Sequence, residues 1–253
     1  MKICSLASGS RGNSLLVESK YQRILIDAGL SALQIKSRLE SIKIEPDSIN
    51  AIILTHAHRD HVIGANTFSR QYGIPIYGHP DTLDELTFLL NGNKKIVPWK
   101  GPFSIGDIDL EPFRVSHDAF PTVGYLISHQ NKKMAVCTDL GIVTPEVKDS
   151  IKLAQFIILE SNHDPEMLLN GPYPWELKER IASRVGHLSN HDCGTFLKSI
   201  LHGNVQKILL AHLSQENNTP IIARQTVLDY LRIKDESIVE VIEQQKISAI
   251  FEF

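Results

Sequence analysis

The chain has 253 residues, 42% hydrophobic and 22% charged, with a formal net charge of -3. That length and near-average composition argue against a disordered chain, a collagen-like repeat and a coiled coil. The charge offers no broad basic field for a polyanion, so such a substrate would have to be held by a local patch or by bound cations.

In chain order, Lys2–Ala7, Ser14–Glu18 and Arg23–Asp27 read as short strands separated by turns. Met1–Leu6 runs into a Gly/Ser turn too soon for the apolar centre of a secretory signal, and a cytoplasmic protein is expected. Ser31 is placed to cap an amphipathic helix carrying Leu33, Ile35, Leu39 and Ile42. Ile49–Thr55 reads as a buried strand, followed by helices near Ala65–Tyr72 and Thr82–Leu90 with a strand at Ile74–Tyr77 between them. Further strands are expected at Ile108–Val115, Val123–Ser128, Lys133–Thr138, Phe156–Glu160 and Gln206–Ala211. Helices are expected near Thr144–Ile151, Pro174–Val185 and Asn190–Leu201, and Thr219 caps another whose first turn holds Pro220.

No apolar run approaches the roughly 18 to 20 residues of a membrane-spanning helix. Cys4, Cys137 and Cys193 cannot all pair and form no C-x-x-C, so reduced, partly buried thiols are expected. No linker divides the chain, and the alternation predicts a single α/β domain over residues 1–253, two packed sheets with helices outside.

Polar clusters fall where strands end. The Ile49–Leu54 strand runs into His56-Ala57-His58-Arg59-Asp60-His61, an H-x-H-x-D-H turn in which imidazole and carboxylate side chains can point at two neighbouring centres. These are the ligand types that zinc and similar divalent ions take. His117, Asp139 and His212 each follow an apolar strand, so all can converge at one edge of the sheets.

On these residues the sequence resembles the metallo-β-lactamase-fold hydrolase superfamily along nearly its whole length, with Asp27, the H-x-H-x-D-H run, His117, Asp139 and His212 in order. The resemblance implies a four-layer αββα sandwich. It also implies two divalent metal ions, zinc in first place and manganese as the alternative. By that resemblance His56, His58 and His117 would hold one ion, Asp60, His61 and His212 the other, and Asp139 would bridge them. Two cations about 4 Å apart lower the pKa of a shared water and offset charge on the group it attacks. Asp27 is expected behind the ligands, orienting the histidine loop. His79, His129 and His202 match no superfamily position.

Glu160 and His187 resemble the Glu and His that the tRNA 3′-processing endonucleases and β-CASP nucleases carry between the bridging Asp and the last ligand His. Phosphodiester cleavage expels an alkoxide, and an imidazolium steadied by a carboxylate can protonate it. Asp60, a ligand of the same centre, is counted with them among the catalytic residues.

Leu6-Ala7-Ser8-Gly9-Ser10, Glu160-Ser161-Asn162-His163-Asp164, Gly186-His187-Leu188-Ser189-Asn190 and Ala211-His212-Leu213-Ser214 are together similar to the bacterial YycJ/WalJ-type branch. Members are small, cytoplasmic and associated with nuclease action on DNA, including 5′-to-3′ exonuclease activity. About 26 residues separate Glu160 from His187, too few for the β-CASP cap.

The resemblance therefore implies a dinuclear phosphodiester hydrolase, a DNA exonuclease favouring DNA over RNA, without membrane association and with oligomeric state open. The alternatives are a hydrolase of small esters, thioesters or cyclic phosphodiesters, and a metal-dependent regulatory or binding protein. Ser8, Ser10, Arg11, Asn162 and Asn190 are candidate substrate contacts, the glycine-flanked Ser8–Asn13 loop offering N–H groups to a phosphate. Phe120, Tyr173 and Trp175 are candidates for base stacking, with packing the plainer role.

Overall fold

The computed structural model describes residues 1–253. Its first half builds a sheet from β1 (Lys2–Ala7), β2 (Ser14–Glu18), β3 (Arg23–Ile26), β4 (Ala51–Ile53), β5 (Ile76–Gly78) and β6 (Ile96–Pro98). The second sheet holds β7 (Phe103–Ile105), β8 (Ile108–Val115), β9 (Thr122–His129), β10 (Lys132–Cys137), β11 (Phe156–Glu160), β12 (Lys207–Ala211) and β13 (Val239–Val241). The terminal β14 (Phe251–Glu252) returns to pair with β1, giving the orders β14-β1-β2-β3-β4-β5-β6 and β13-β12-β11-β10-β9-β8-β7. Helices α1 (Ala32–Ser41), α2 (Arg59–Val62), α3 (Ala65–Tyr72), α4 (Pro80–Glu85), α5 (Pro145–Ile151), α6 (Pro165–Asn170), α7 (Trp175–Ile181), α8 (Asn190–Ile200) and α9 (Pro220–Leu231) complete the chain.

The two-residue period of a strand explains the layering. In β3, Ile24 and Ile26 enter the core between the sheets while Leu25 faces a second core with Ile35, Leu39 and Phe68 of α1 and α3. In β11, Phe156 and Ile158 meet the first sheet, whereas Ile157 and Leu159 pack with Val147, Leu197 and Val227 of α5, α8 and α9. Strands covered on both faces must be apolar throughout, which is why β3 and β11 read as continuous runs. The result is the expected four-layer αββα sandwich. None of its helices is long and apolar enough to cross a membrane.

The pairs β3–β4–β5–β6 and β10–β11–β12–β13 are parallel, so their carboxyl ends lie along common edges and release Asp27, His56, Asp139, Glu160 and His212 there. Some expectations differ. Leu33 is exposed rather than packed, because α1 buries Ala32, Ile35 and Leu39 instead. The short strands β6, β7, β13 and β14 and helix α6 carry too few residues to show a period. The helix expected over 174–185 is only Trp175–Ile181 and buries none of its residues. All three cysteines are buried and free.

Candidate active site

Three site residues leave their strands in the left-handed conformation, Asp27 at φ 62, Asp139 at φ 57 and His212 at φ 54. A non-glycine residue held there costs roughly 1–3 kcal/mol, so neighbouring bonds must fix it. The Asp27 N–H donates to Ile53 O at 2.9 Å, and the His212 N–H donates to Ser8 Oγ at 2.8 Å. Asn162 Nδ2 donates to the His212 carbonyl at 2.8 Å. Each turn aims a ligand-type side chain over the sheet edge.

The H-x-H-x-D-H turn is anchored from behind. Asp27 Oδ1 accepts from the Thr55 N–H at 2.8 Å, and Oδ2 accepts from Thr55 Oγ1 at 2.8 Å and lies 2.7 Å from His61 Nδ1. Gly29 passes so close to this turn that a Cβ there would lie 1.6 Å from Asp60 O. The Asn13 N–H donates to Asp60 O at 2.8 Å and its side-chain amide lies 2.9 Å from His61 Nε2. The signal for Asn13 in the sequence was only its place beside Gly12 at the end of the Ser8–Asn13 loop.

His56, His58 and His117 bring ligand atoms within 4.8 Å of one another, and so do Asp60, His61 and His212, and His56, His61 and Asp139. His117 Nδ1 is engaged by Gly186 O at 3.1 Å, His61 Nδ1 by Asp27, and His212 Nδ1 by Glu160 Oε1 at 2.8 Å, which turns each Nε2 inward. His56 Nε2, His212 Nε2 and Asp139 Oδ2 are buried with no hydrogen-bond partner. Asp139 lies between the halves, Oδ2 at 3.2 Å from His61 Nε2 and Oδ1 at 3.8 Å from His117 Nε2. Orphaned buried donor atoms in a mixed imidazole and carboxylate set fit a pair of divalent cations.

The electrostatics agree with that demand. Burial drives the pKa of His56 well below its ordinary value, so its nitrogen is available as a lone-pair donor. For His61 burial pulls the same way, but the carboxylates of Asp139 and Asp27 outweigh it and raise the pKa to about 10. Cations entering the site take the place of such protons.

Glu160 is fully buried, and its four contacts explain why it stays ionised. Oε1 lies 2.8 Å from Nδ1 of both His187 and His212, while Oε2 accepts from the Leu140 N–H at 2.6 Å and the Leu188 N–H at 3.3 Å. Burial alone would raise its pKa, but the facing His187 and His212 hold it at about 2. Burial opposes the charge on His187, and Glu160 reverses that and raises its pKa. Although Asp139, Glu160, His187 and His212 also lie close enough to share an ion, the occupied oxygens of Glu160 favour a supporting role.

Beside His187 and His212 opens a pocket of about 200 Å³. Tyr173, Leu177 and Ile181 form its apolar side, and Ser10, Asn162 and Ser214 its polar side. Two of the expected substrate contacts, Ser10 and Asn162, line it. Ser8 does not, since it is buried and holds the His212 N–H. Asn190 is also a correction: it is fully buried, bonded to Ser161 Oγ at 2.6 Å and Asn218 Nδ2 at 2.9 Å, and cannot meet a ligand. Arg11 is exposed but does not line the pocket.

In the Ser8–Asn13 loop the N–H groups of Gly9, Gly12 and Asn13 are already taken, by Asn13 Oδ1, Gly9 O and Asp60 O. Phe120 and Trp175 are exposed, so neither takes the packing role. His79, His129 and His202 bond local backbone groups away from the ligand cluster.

Asp118 was missed entirely. Its Oδ1 lies 3.2 Å from His117 Nε2 and 3.5 Å from His58 Nε2, and its Oδ2 accepts from Arg180 Nε at 2.7 Å. Its adjacency to His117 was the only signal in the sequence.

Residues 22–213 match the model of a family described as the beta-lactamase superfamily domain. The chain is 36% identical over 242 residues to the exodeoxyribonuclease YycJ of Bacillus anthracis, covering 94% of this chain and 92% of that protein. It is 37% identical over 240 residues to the exodeoxyribonuclease WalJ of Streptococcus pneumoniae, covering 92% and 89%. Among solved structures, the metallo-beta-lactamase fold protein YhfI from Bacillus subtilis superposes with a TM-score of 0.75 at 17% identity, covering 98% of this chain and 99% of that one, a likeness of fold.

Proposed function

The chain belongs to the beta-lactamase superfamily domain family, and on that premise we propose that it is a cytoplasmic, dinuclear metal-dependent phosphodiesterase that degrades DNA as a 5′-to-3′ exonuclease. Residues 1–253 act as one domain, with α6 and α7 where other branches carry a cap. The names of the YycJ and WalJ relatives support DNA as the substrate. The observation that carries the reading is the 2.8 Å contact between Glu160 Oε1 and His187 Nδ1, at the edge of the ligand cluster and beside the pocket.

His56, His58 and His117 would hold one cation and Asp60, His61 and His212 the other, with Asp139 between. The imidazole-rich set favours zinc, with manganese as the alternative. When bound, two such cations supply Lewis acidity, acidifying a water and offsetting charge on the phosphoryl oxygens. Glu160 faces His187 and raises its pKa against the pull of burial, favouring the protonated ring, and the Nε2 side of His187 is the donor to the departing 3′ oxygen. Glu160 holds the ring rather than touching substrate. Asp27 fixes His61 from behind, so the ligand turn is set before substrate arrives. Hydrolysis of a thioester, which expels a weakly basic thiolate, has less need of such a donor, which weighs against that alternative.

The test is to incubate metal-loaded protein with end-labelled single- and double-stranded DNA and RNA, and with a thioester and a lactam. Release of mononucleotides from the 5′ end of DNA is expected. Efficient thioester or lactam hydrolysis with every nucleic acid left intact would overturn the reading.

A further inference from the structure

Arg180 is the only Lys or Arg lining the pocket beside His187, and Asp118 is the only carboxylate there. Both Nε and Nη2 of Arg180 face Asp118 Oδ2, the Nε contact at 2.7 Å, and no protein group engages Nη1. The side chain of Arg180 is 60% exposed and that of Asp118 23% exposed, so the pair sits at the mouth rather than in the core. The other oxygen of Asp118 lies 3.2 Å from His117 Nε2 and 3.5 Å from His58 Nε2. A carboxylate this near a reaction centre would repel a phosphate unless a cation covered it. The guanidinium does so and still has donors to spare, in a planar fork suited to phosphate oxygens.

Helix α7 supplies the rest of a nucleotide-shaped surface. Leu177 and Ile181 are one turn apart on α7, and with Tyr173 just before the helix they line the pocket with Arg180. An apolar, partly aromatic strip suits the face of a base, and a neighbouring fork suits its phosphate. Lys178, the other cation at this end of the helix, is held by Leu169 O at 2.7 Å and does not line the pocket.

We propose that Arg180, aimed by Asp118, is the phosphate-binding cation of this site and that α7 forms a single-nucleotide subsite. The inference rests on the phosphodiesterase reading and adds the residue that selects a phosphate-bearing ligand.

The experiment measures binding of dTMP and of thymidine to the metal-loaded wild type, R180Q and R180Q/D118N by calorimetry, with metal content determined for each. The wild type should prefer dTMP. R180Q should weaken dTMP at least tenfold while changing thymidine less than twofold, and the added D118N, which removes the uncovered carboxylate, should recover part of that loss. With a cleavage-resistant phosphorothioate oligonucleotide, R180Q should flatten the salt dependence of binding by about 0.7, one single-strand phosphate contact. Unchanged dTMP affinity in R180Q, or loss of metal by it, overturns the assignment. If dTMP binding depends on Arg180 but no DNA or RNA is cleaved by the wild type, the nuclease reading fails and the phosphate subsite stands. If DNA is cleaved and R180Q behaves as wild type, the reverse holds.

Discussion

Nδ1 of His187 and Nδ1 of His212 both lie 2.8 Å from one atom, Oε1 of Glu160. A single buried carboxylate therefore orients the residue proposed as proton donor and a residue proposed as metal ligand. Its second oxygen is taken by the N–H groups of Leu140 and Leu188.

Glu160→Gln cannot satisfy both sides, since the amide has one acceptor oxygen where the carboxylate has two. Either the imidazoles or the two backbone N–H groups then face an NH2. The variant should lose about 1–3 kcal/mol of stability and bind metal roughly 10–100-fold more weakly through the disturbed His212. Urea unfolding and metal titration check both; wild-type metal affinity would show that Glu160 serves His187 alone.

Asp139→Ala should weaken both metal ions together, because Asp139 reaches toward His61 on one side and His117 on the other. Metal content after dialysis is the measurement. Two tightly retained ions would show that the bridge is misplaced.

Much of this centre was legible because its chemistry sits at strand ends, where a long apolar run stops at a His, Asp or Glu. β12 announced itself as such a run, and with it His212, whereas Asp27 and Glu160, at the ends of β3 and β11, were marked by the family resemblance. What stayed hidden depends on contacts between distant segments. Nothing local says that Ser8 holds the His212 N–H, that Asn13 closes on Asp60, or that Asn190 turns inward to Ser161 and Asn218. Asp118 escaped for the same reason: its partner Arg180 is distant in sequence and lies on a helix whose length was overestimated.

Gly29 offers a purely steric test. A methyl group there would sit 1.6 Å from Asp60 O and 2.6 Å from the Asn13 N, both backbone atoms that cannot swing aside. Gly29→Ala should push the ligand turn outward, lowering metal affinity at least tenfold and costing about 1–3 kcal/mol in overpacking. Metal titration and urea unfolding report this, and wild-type values in both would show that the turn is not held by that approach.

His163 gives the fold a distinct acid response. Burial holds its imidazole neutral, with a pKa of about 4 against an ordinary 6.5, and its Nδ1 has no partner. As pH falls from about 6.5 to about 4 the unfolded chain binds a proton here that the folded chain refuses. The contribution of His163 is therefore complete above pH 6.5 and lost as pH drops through that window. In chelator, His163→Gln should lose less stability than wild type between pH 6.5 and 4.5, as measured by urea unfolding. Parallel losses in the two proteins would contradict the assignment.

The most direct test of the central claim compares leaving groups in His187→Ala. Metal content and fold should be preserved, while cleavage of an ordinary phosphodiester slows by about 10² to 10⁴, the range for a positioned general acid. A nitrophenyl phosphodiester, whose leaving group needs little protonation, should slow far less. Equal slowing of both substrates, or loss of metal from the variant, would contradict the account of His187 as the proton donor.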